Sequence, residues 1–325
     1  MKPSRTTRLR VLTYHRVARP RERADLDPRL ISATPEAFER QMRLLRRSRA
    51  VVSIGEVLSA AAGRDALPPK AVLVTFDDAY EDLADHAFPI LRGLGLPALV
   101  FVPTSFPDRP ERSFRADRLH RAFSSAARPG IETAAGTLRL ASPRERSESL
   151  RLLSRHLKTL SHAEAESAVD AICAELMAPR SVRSSVLSWE RLRQLPASGI
   201  AVAAHGRSHA LLTQVPDHEI RAEIAGSRDD LVREMGSALP VFCYPNGSHD
   251  ERAVAALREA GFELAFTTRD GENDLASCDR LRLRRTNITS RTTALLLRAR
   301  LTPWGARIDE WRHRGEAGNP GSAPA

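Results

Sequence analysis

The sequence predicts an α/β barrel of about seven strand–helix units, interrupted once by a long helical insertion. Three observations carry this reading. Apolar runs of strand length recur, and two of them, Ala71–Phe76 (AVLVTF) and Ile200–Ala204 (IAVAA), are continuous enough to be buried on both faces. Amphipathic stretches with helix-start residues alternate with these runs, as parallel strands with outer helices require. A length of 325 residues suits a single barrel of this class.

Residues 10–15 (RVLTYH) read as the first buried strand. Thr34 then offers an N-cap with Pro35 at the first helical position, and Phe38, Met42 and Leu45 make one apolar face. A short strand at 50–54 and an Ala-rich helix ending at Gly63 lead to Ala71–Phe76. Residues 85–93 are predicted helical, 97–102 (PALVFV) a strand and 187–195 a helix before Ile200–Ala204. Asp217 is expected to cap the long helix to Met235, and 241–244 to form a strand. Asp250 caps a helix that stops at Gly261, followed by a strand at 263–267 and a final extended segment at 281–288.

Residues 107–186 break the rhythm. They lack clear strands, are rich in Arg, Ser and Ala, and are expected to be largely helical over 142–177, with Ser142 as cap and Pro143 next to it. This stretch reads as an insertion, a lid or a partner surface. The tail from 315 to 325 is mostly Gly, Pro, Ser and Ala, a composition that does not build a core.

Composition narrows the function. Hydrophobic residues make up 42% and charged residues 28%, a globular balance. Aromatics at 5% argue against a large aromatic sugar-binding cleft. The net charge of +10 suits anionic partners. The arginines are nevertheless spread over nearly every segment, so no nucleic-acid partner is expected. Cys173, Cys243 and Cys278 have neither disulfide-framework nor zinc-knuckle spacing and fit a reducing compartment. No apolar run is long enough to span a bilayer and no signal peptide is recognisable, so the expected location is cytoplasmic.

The chemistry gathers at strand ends. Asp77 and Asp78 directly follow Ala71–Phe76, at the edge where parallel sheets place active sites. Adjacent acids repel unless a cation offsets them; an acid pair favoured by a helix N-terminus is the alternative. His205 and His209 follow Ile200–Ala204, and i, i+4 spacing would put both imidazoles on one side of a helical turn. Alone they would read as surface histidines. With Asp77 and Asp78 they offer two imidazoles and a carboxylate, a three-ligand set with open positions. His15 ends the first strand, as a structural residue or a general acid. Tyr244-Pro245-Asn246-Gly247 is a turn after a strand, whose N–H groups are able to face an oxyanion.

Together these segments resemble the polysaccharide deacetylase family, the NodB-homology carbohydrate esterases. Thr75-Phe76-Asp77-Asp78 matches its T-F-D-D motif, His205-Gly206-Arg207-Ser208-His209 its spaced histidine pair, and Tyr244-Pro245-Asn246-Gly247 its turn. The resemblance implies a distorted (β/α)7 barrel over residues 8–312, with the insertion at about 107–186 and a tail at 313–325. It implies Asp77 as base, Asp78, His205 and His209 as ligands of a divalent metal, and the Asn246 N–H as oxyanion donor. Zinc is the expected metal, with cobalt, nickel and ferrous iron tolerated by the same donors.

The family's C-terminal Leu-x-His acid is missing here; the last histidine, His313, lies in a polar segment. One branch, similar to poly-N-acetylglucosamine deacetylases, carries this histidine in an N-terminal Y-H strand, and Tyr14-His15 resembles it. Two residues depart from the pattern. Cys243 stands where an arginine usually orients the base, and Arg285 resembles the arginine of that branch's L-P-R-I segment. Gly206 replaces Ser or Thr, which is expected to loosen the loop. The implied reaction removes N-acetyl groups from an amino-sugar polymer or glycan precursor. The rivals are an amidase or deacetylase acting on a non-sugar or non-polymeric substrate, and a non-catalytic glycan-binding protein.

Overall fold

The computed structural model describes residues 6–178 and 183–302. Six parallel strands lie side by side in the order Leu264–Phe266, Val241–Cys243, Ile200–Ala204, Ala98–Val102, Ala71–Phe76 and Arg8–Tyr14. The segment 283–288 joins the two ends of this row. Leu283 bridges Phe266 in parallel, and Thr286 and Asn287 pair in parallel with Leu12 and Thr13. The lower half of Arg8–Tyr14 instead receives Glu272–Asp274 antiparallel. The result is a distorted seven-stranded barrel, irregular where the closing segment contributes only a bridge and two paired residues.

Alternation along the strands divides the core. Val11, Leu73, Leu99, Phe101 and Phe266 belong to one buried set, and Leu12, Val74, Phe76, Val100 and Phe242 to another. Phe101 and Phe266 come from non-adjacent strands yet their rings lie 5.5 Å apart, so the first set fills the barrel interior. The second set packs under the outer helices. Each large apolar side chain buried in this way contributes about 1.5–3 kcal/mol.

The helices start largely where the sequence places them. Thr34 accepts from the N–H of Ala37 ahead of Pro35–Ser48, and Asp250 from that of Ala253 ahead of Glu251–Glu259. Ser142 forms a capping box with Glu145. Asp217 differs: it is the first residue of Asp217–Met235, and Pro216, which has no side-chain acceptor, holds the cap position. Asp217 pairs with Arg252 at 3.0 Å and still favours the helix dipole.

The insertion is not purely helical. Helices Arg115–Ser125, Pro143–Leu157 and His162–Glu175 surround a hairpin, Gly130–Thr133 with Gly136–Arg139, that the sequence reading missed. The hairpin strands are four residues long and mostly exposed, so they leave almost no apolar signature. Leu119, Phe123, Leu138, Leu153 and Val169 form a core of their own. The chain returns to the barrel beside the loop after Asp78. The Glu81 N–H donates to the Ser185 carbonyl (2.9 Å) and the Leu187 N–H to the Ala79 carbonyl (3.0 Å), flanking a bridge between Tyr80 and Val186. The tail expected at 313–325, with His313, lies outside the described residues.

Candidate active site

All strand ends discussed above open on one edge of the barrel. Tyr14 is in register with Phe76, and the Asp77 N–H donates to the Tyr14 carbonyl at 2.9 Å, which sets His15 alongside Asp77. Val102 pairs with Ala204, and the His205 N–H donates to the Val102 carbonyl. Phe242 pairs with Ala204, bringing Cys243 and the turn after it next to His205.

Asp77 and Asp78, adjacent in sequence, meet different partners. Arg285 grips Asp77 with two parallel bonds, Nη1 to Oδ1 at 2.6 Å and Nη2 to Oδ2 at 2.7 Å. Its Nε donates to the Thr267 carbonyl, which fixes the plane of the fork. The Cys243 thiol lies 3.6 Å from Asp77 Oδ2. Burial pushes the Asp77 carboxyl up, but the Arg285 charge and its hydrogen bonds override this and hold it below the usual carboxylate range. His15 is half-buried and tied by its backbone N–H to the Ser32 hydroxyl at 2.9 Å.

Asp78 turns away from Arg285. Its Oδ1 faces His205 Nε2 at 3.4 Å and His209 Nε2 at 3.2 Å. This oxygen is fully buried and no donor is aligned on it. His205 Nδ1 lies 2.8 Å from the Cys243 carbonyl, an atom that only accepts, so Nδ1 carries a proton and Nε2 is left to face Asp78. A buried carboxylate oxygen and two imidazole nitrogens aimed at one point are what a cation would bind. The three donors lie within 4.8 Å of one another.

A second set, Asp77, His205 and Cys243, is equally compact. It fits a metal less well. Both Asp77 oxygens are already bonded by Arg285, and burial pushes the Cys243 thiol up, away from the thiolate that ligates.

The backbone around the site is held in a sparsely populated conformation. Asp78, Ala79, His209 and Asn246 have φ of 71°, 52°, 60° and 54°. His205 and His209 therefore do not share a helical turn, as their spacing suggests. They converge because Gly206 (φ 73°) and His209 both turn left-handed. Nor does Gly206 loosen this loop. Glu223, on Asp217–Met235, accepts the N–H groups of Arg207 and Ser208 at 2.8 and 2.9 Å. A Cβ at position 206 would stand 2.9 Å from the Glu223 carboxylate, so glycine suits both the angle and the contact. Asn246 is exposed at the top of the Pro245–Gly247 turn.

Three pairings escaped the sequence reading. Glu223 is one helix acid among several. Arg16 and Asp82 pair at 2.7 Å, buried beneath the loop that carries Asp78, and Asp117 from the insertion accepts from Tyr80 Oη at 3.0 Å. All three are long-range pairings that no local pattern signals.

The family model described as polysaccharide deacetylase matches residues 64–265, more than half of the chain. The chain belongs to the polysaccharide deacetylase family. A stretch of 85 residues is 36% identical to the poly-beta-1,6-N-acetyl-D-glucosamine N-deacetylase of Escherichia coli (strain K12), covering 26% of this chain and 13% of that protein. The chain thus matches about an eighth of that relative's length. Among solved structures, IcaB from Ammonifex degensii superposes with a TM-score of 0.60 at 21% identity, over 92% of this chain and 98% of that one. The Streptococcus pyogenes deacetylase PplD, solved in complex with acetate, gives 0.59 at 18% identity, over 93% and 100%. The deacetylase domain of BpsB from Bordetella bronchiseptica gives 0.57 at 17%, over 89% and 98%. At such identities the likeness is one of fold, and it assigns this family member a deacetylase barrel.

Proposed function

We propose that this chain is a metal-dependent carbohydrate N-deacetylase that removes acetyl groups from an amino-sugar polymer or glycan precursor. The observation that carries the reading is the unbonded, buried Oδ1 of Asp78 facing two imidazole nitrogens, next to an Asp77 clamped by Arg285. Asp78, His205 and His209 would hold the ion. Their nitrogen and oxygen donors suit zinc, and cobalt, nickel and ferrous iron share these preferences. When bound, such an ion supplies Lewis-acid polarisation of the acetamide carbonyl and a nucleophile at neutral pH.

The chain's own residues supply the rest. Asp77, kept ionised by Arg285, takes a proton from the attacking water. The Asn246 N–H is assigned to the developing oxyanion. His15, beside Asp77 at the end of the first strand, delivers a proton to the sugar nitrogen as the C–N bond breaks. The products are acetate and a free amino sugar. Acting on the acetamide of a poly-N-acetylglucosamine chain is one form of this reaction, and the partial likeness to the E. coli enzyme favours it.

The unit that carries the activity is read as residues 8–312, with the insertion at about 107–186 as a lobe of it. No helix among the described residues is long and apolar enough to cross a membrane. The cytoplasmic setting is part of the same proposal and rests on the free thiols of Cys173, Cys243 and Cys278.

The test is acetate release by the purified chain from a panel of N-acetylated glycans, before and after chelation and with zinc, cobalt, nickel or ferrous iron restored. Metal-restored release is expected. Full activity in metal-free protein would overturn the metal site. Release from non-sugar acetamides alone would favour the amidase rival.

A further inference from the structure

The wall of the site beyond His209 is built by the insertion. A cavity of about 590 Å³ opens there between the barrel edge and the helices Arg115–Ser125 and His162–Glu175. This is ample for a sugar residue, within the range of ordinary ligand sites. His209 and Ser208 line its inner end, so the cavity is continuous with the metal-ligand cluster. Phe114, which meets the edge of the His209 ring at 5.1 Å, forms part of its floor.

Four arginines line this space: Arg112, Arg115, Arg118 and Arg121. Two are neutralised within the protein. Arg115 pairs with Glu166 at 2.6 Å; Arg118 pairs with Glu166 at 2.8 Å and also with Asp170. The other two are not. Arg121 is only 9% exposed, its Nε has no partner, and its Nη1 reaches a backbone carbonyl, that of Asp25, at 3.3 Å. Asp117 and Asp25 act on it through space, but neither carboxylate comes within ion-pair distance. Asp25 is already gripped by Arg23. Arg112, at the exposed rim, meets only the Ser105 hydroxyl. Against these two charges the lining sets one unpaired acid, Glu111.

A guanidinium buried without a carboxylate is costly unless something completes it. Its planar fork matches an oxyanion with two acceptors. We infer that this cavity is a subsite for an anionic group, a carboxylate or phosphate, carried by the substrate next to the N-acetylated sugar. Arg121 and Arg112 recognise the anion. The inference rests on the deacetylase reading only for what the anion is attached to.

Two anion sources are separated by titrating the metal-loaded full chain with inorganic phosphate, D-glucuronate and glucose. Saturable binding of at least one anion is expected, with none of glucose. Tighter phosphate points to a phosphorylated or phosphate-linked glycan, and tighter glucuronate to a uronic acid polymer. Arg121→Gln and Arg112→Gln should each weaken anion binding about tenfold or more at unchanged metal content, the loss expected for a charge-assisted pair. Comparison at equal metal content removes any binding to the ion itself. Because Arg112 is exposed, its variant keeps the test valid if Arg121→Gln does not fold. Anion affinity unchanged in these variants, or no saturable anion binding at all, overturns the subsite. If no N-acetylated glycan, neutral or anionic, releases acetate with the unaltered chain, the deacetylase reading falls, and the anion titration still decides the subsite.

Discussion

Asp78 presents its unbonded Oδ1 to His209 Nε2 at 3.2 Å, across a loop in which both residues have left-handed backbone angles. A cation placed between this carboxylate oxygen and the imidazole nitrogens would satisfy all of them. Substituting His205 with alanine removes one of the three donors and is expected to strip the metal and abolish activity, while the fold persists. Metal analysis of the purified variant against wild type is the measurement.

The two adjacent acids should separate in their effects. Asp77→Asn keeps all three donors, so metal content is expected to match wild type while turnover falls by roughly two to four orders of magnitude. Asp78→Asn is expected to lower metal content itself. Reversed metal contents would mean that the pair is assigned the wrong way round.

Arg285→Lys exchanges a two-toothed grip for a single point charge. Asp77 keeps a positive neighbour but loses its fixed plane. Turnover is expected to fall by about ten- to a hundredfold, the worth of one charge-assisted hydrogen bond, with little change in substrate KM. A loss confined to KM would place Arg285 in substrate binding instead.

His15→Ala should retain metal and fold. Deacetylation of sugar amides, whose leaving nitrogen needs a proton, is expected to fall far more than hydrolysis of an activated acetyl ester. Equal losses on both substrates would remove His15 from the acid role.

Asp117 links the insertion to the barrel and carries its own pH signature. Burial raises its carboxyl to about 7, against hydrogen bonds from the Asp27 N–H and Tyr80 that favour the ionised form. A carboxyl raised in the folded state holds its proton where the unfolded chain has already released one. Stability therefore falls as pH rises from about 4 to 7 and stays reduced above that, by up to about 4 kcal/mol. Asp117→Asn cannot ionise. Thermal unfolding at pH 5 and pH 8 should show the wild-type Tm dropping relative to the variant at the higher pH. A constant gap would mean that Asp117 does not titrate in this range.

Much of this site was legible because both faces of the central strands are buried. That makes Ala71–Phe76 and Ile200–Ala204 continuous apolar runs, so the polar residues directly after them, Asp77, Asp78 and His205, stand out. The barrel followed from the alternation of such runs with capped helices. What stayed hidden depends on distance along the chain or on exposure. Glu223 lies 16 residues from Arg207, whose N–H it accepts, and Asp117 lies 37 from Tyr80. Asp78 and His209 are of residue types that enter the left-handed region more often than most but still adopt other angles far more frequently, and the regular spacing of the two histidines suggested a helix that is absent. The hairpin Gly130–Thr133 with Gly136–Arg139 is too short and too exposed to show a period of two.

The closing segment of the barrel imposes an order on how activity is acquired during synthesis. The three proposed metal donors are all made once residue 209 has been added, but the guanidinium that holds Asp77 arrives only with residue 285, on the stretch that zips Phe266 to Leu12 through Leu283 and Thr286. Chains grow from the N-terminus, and a domain folds as a unit. Until that residue is made, Asp77 has no clamp and the barrel has no closing segment. On the proposed roles, a ribosome-stalled or clipped product ending before Arg285 would carry every metal donor yet lack the clamp on its base.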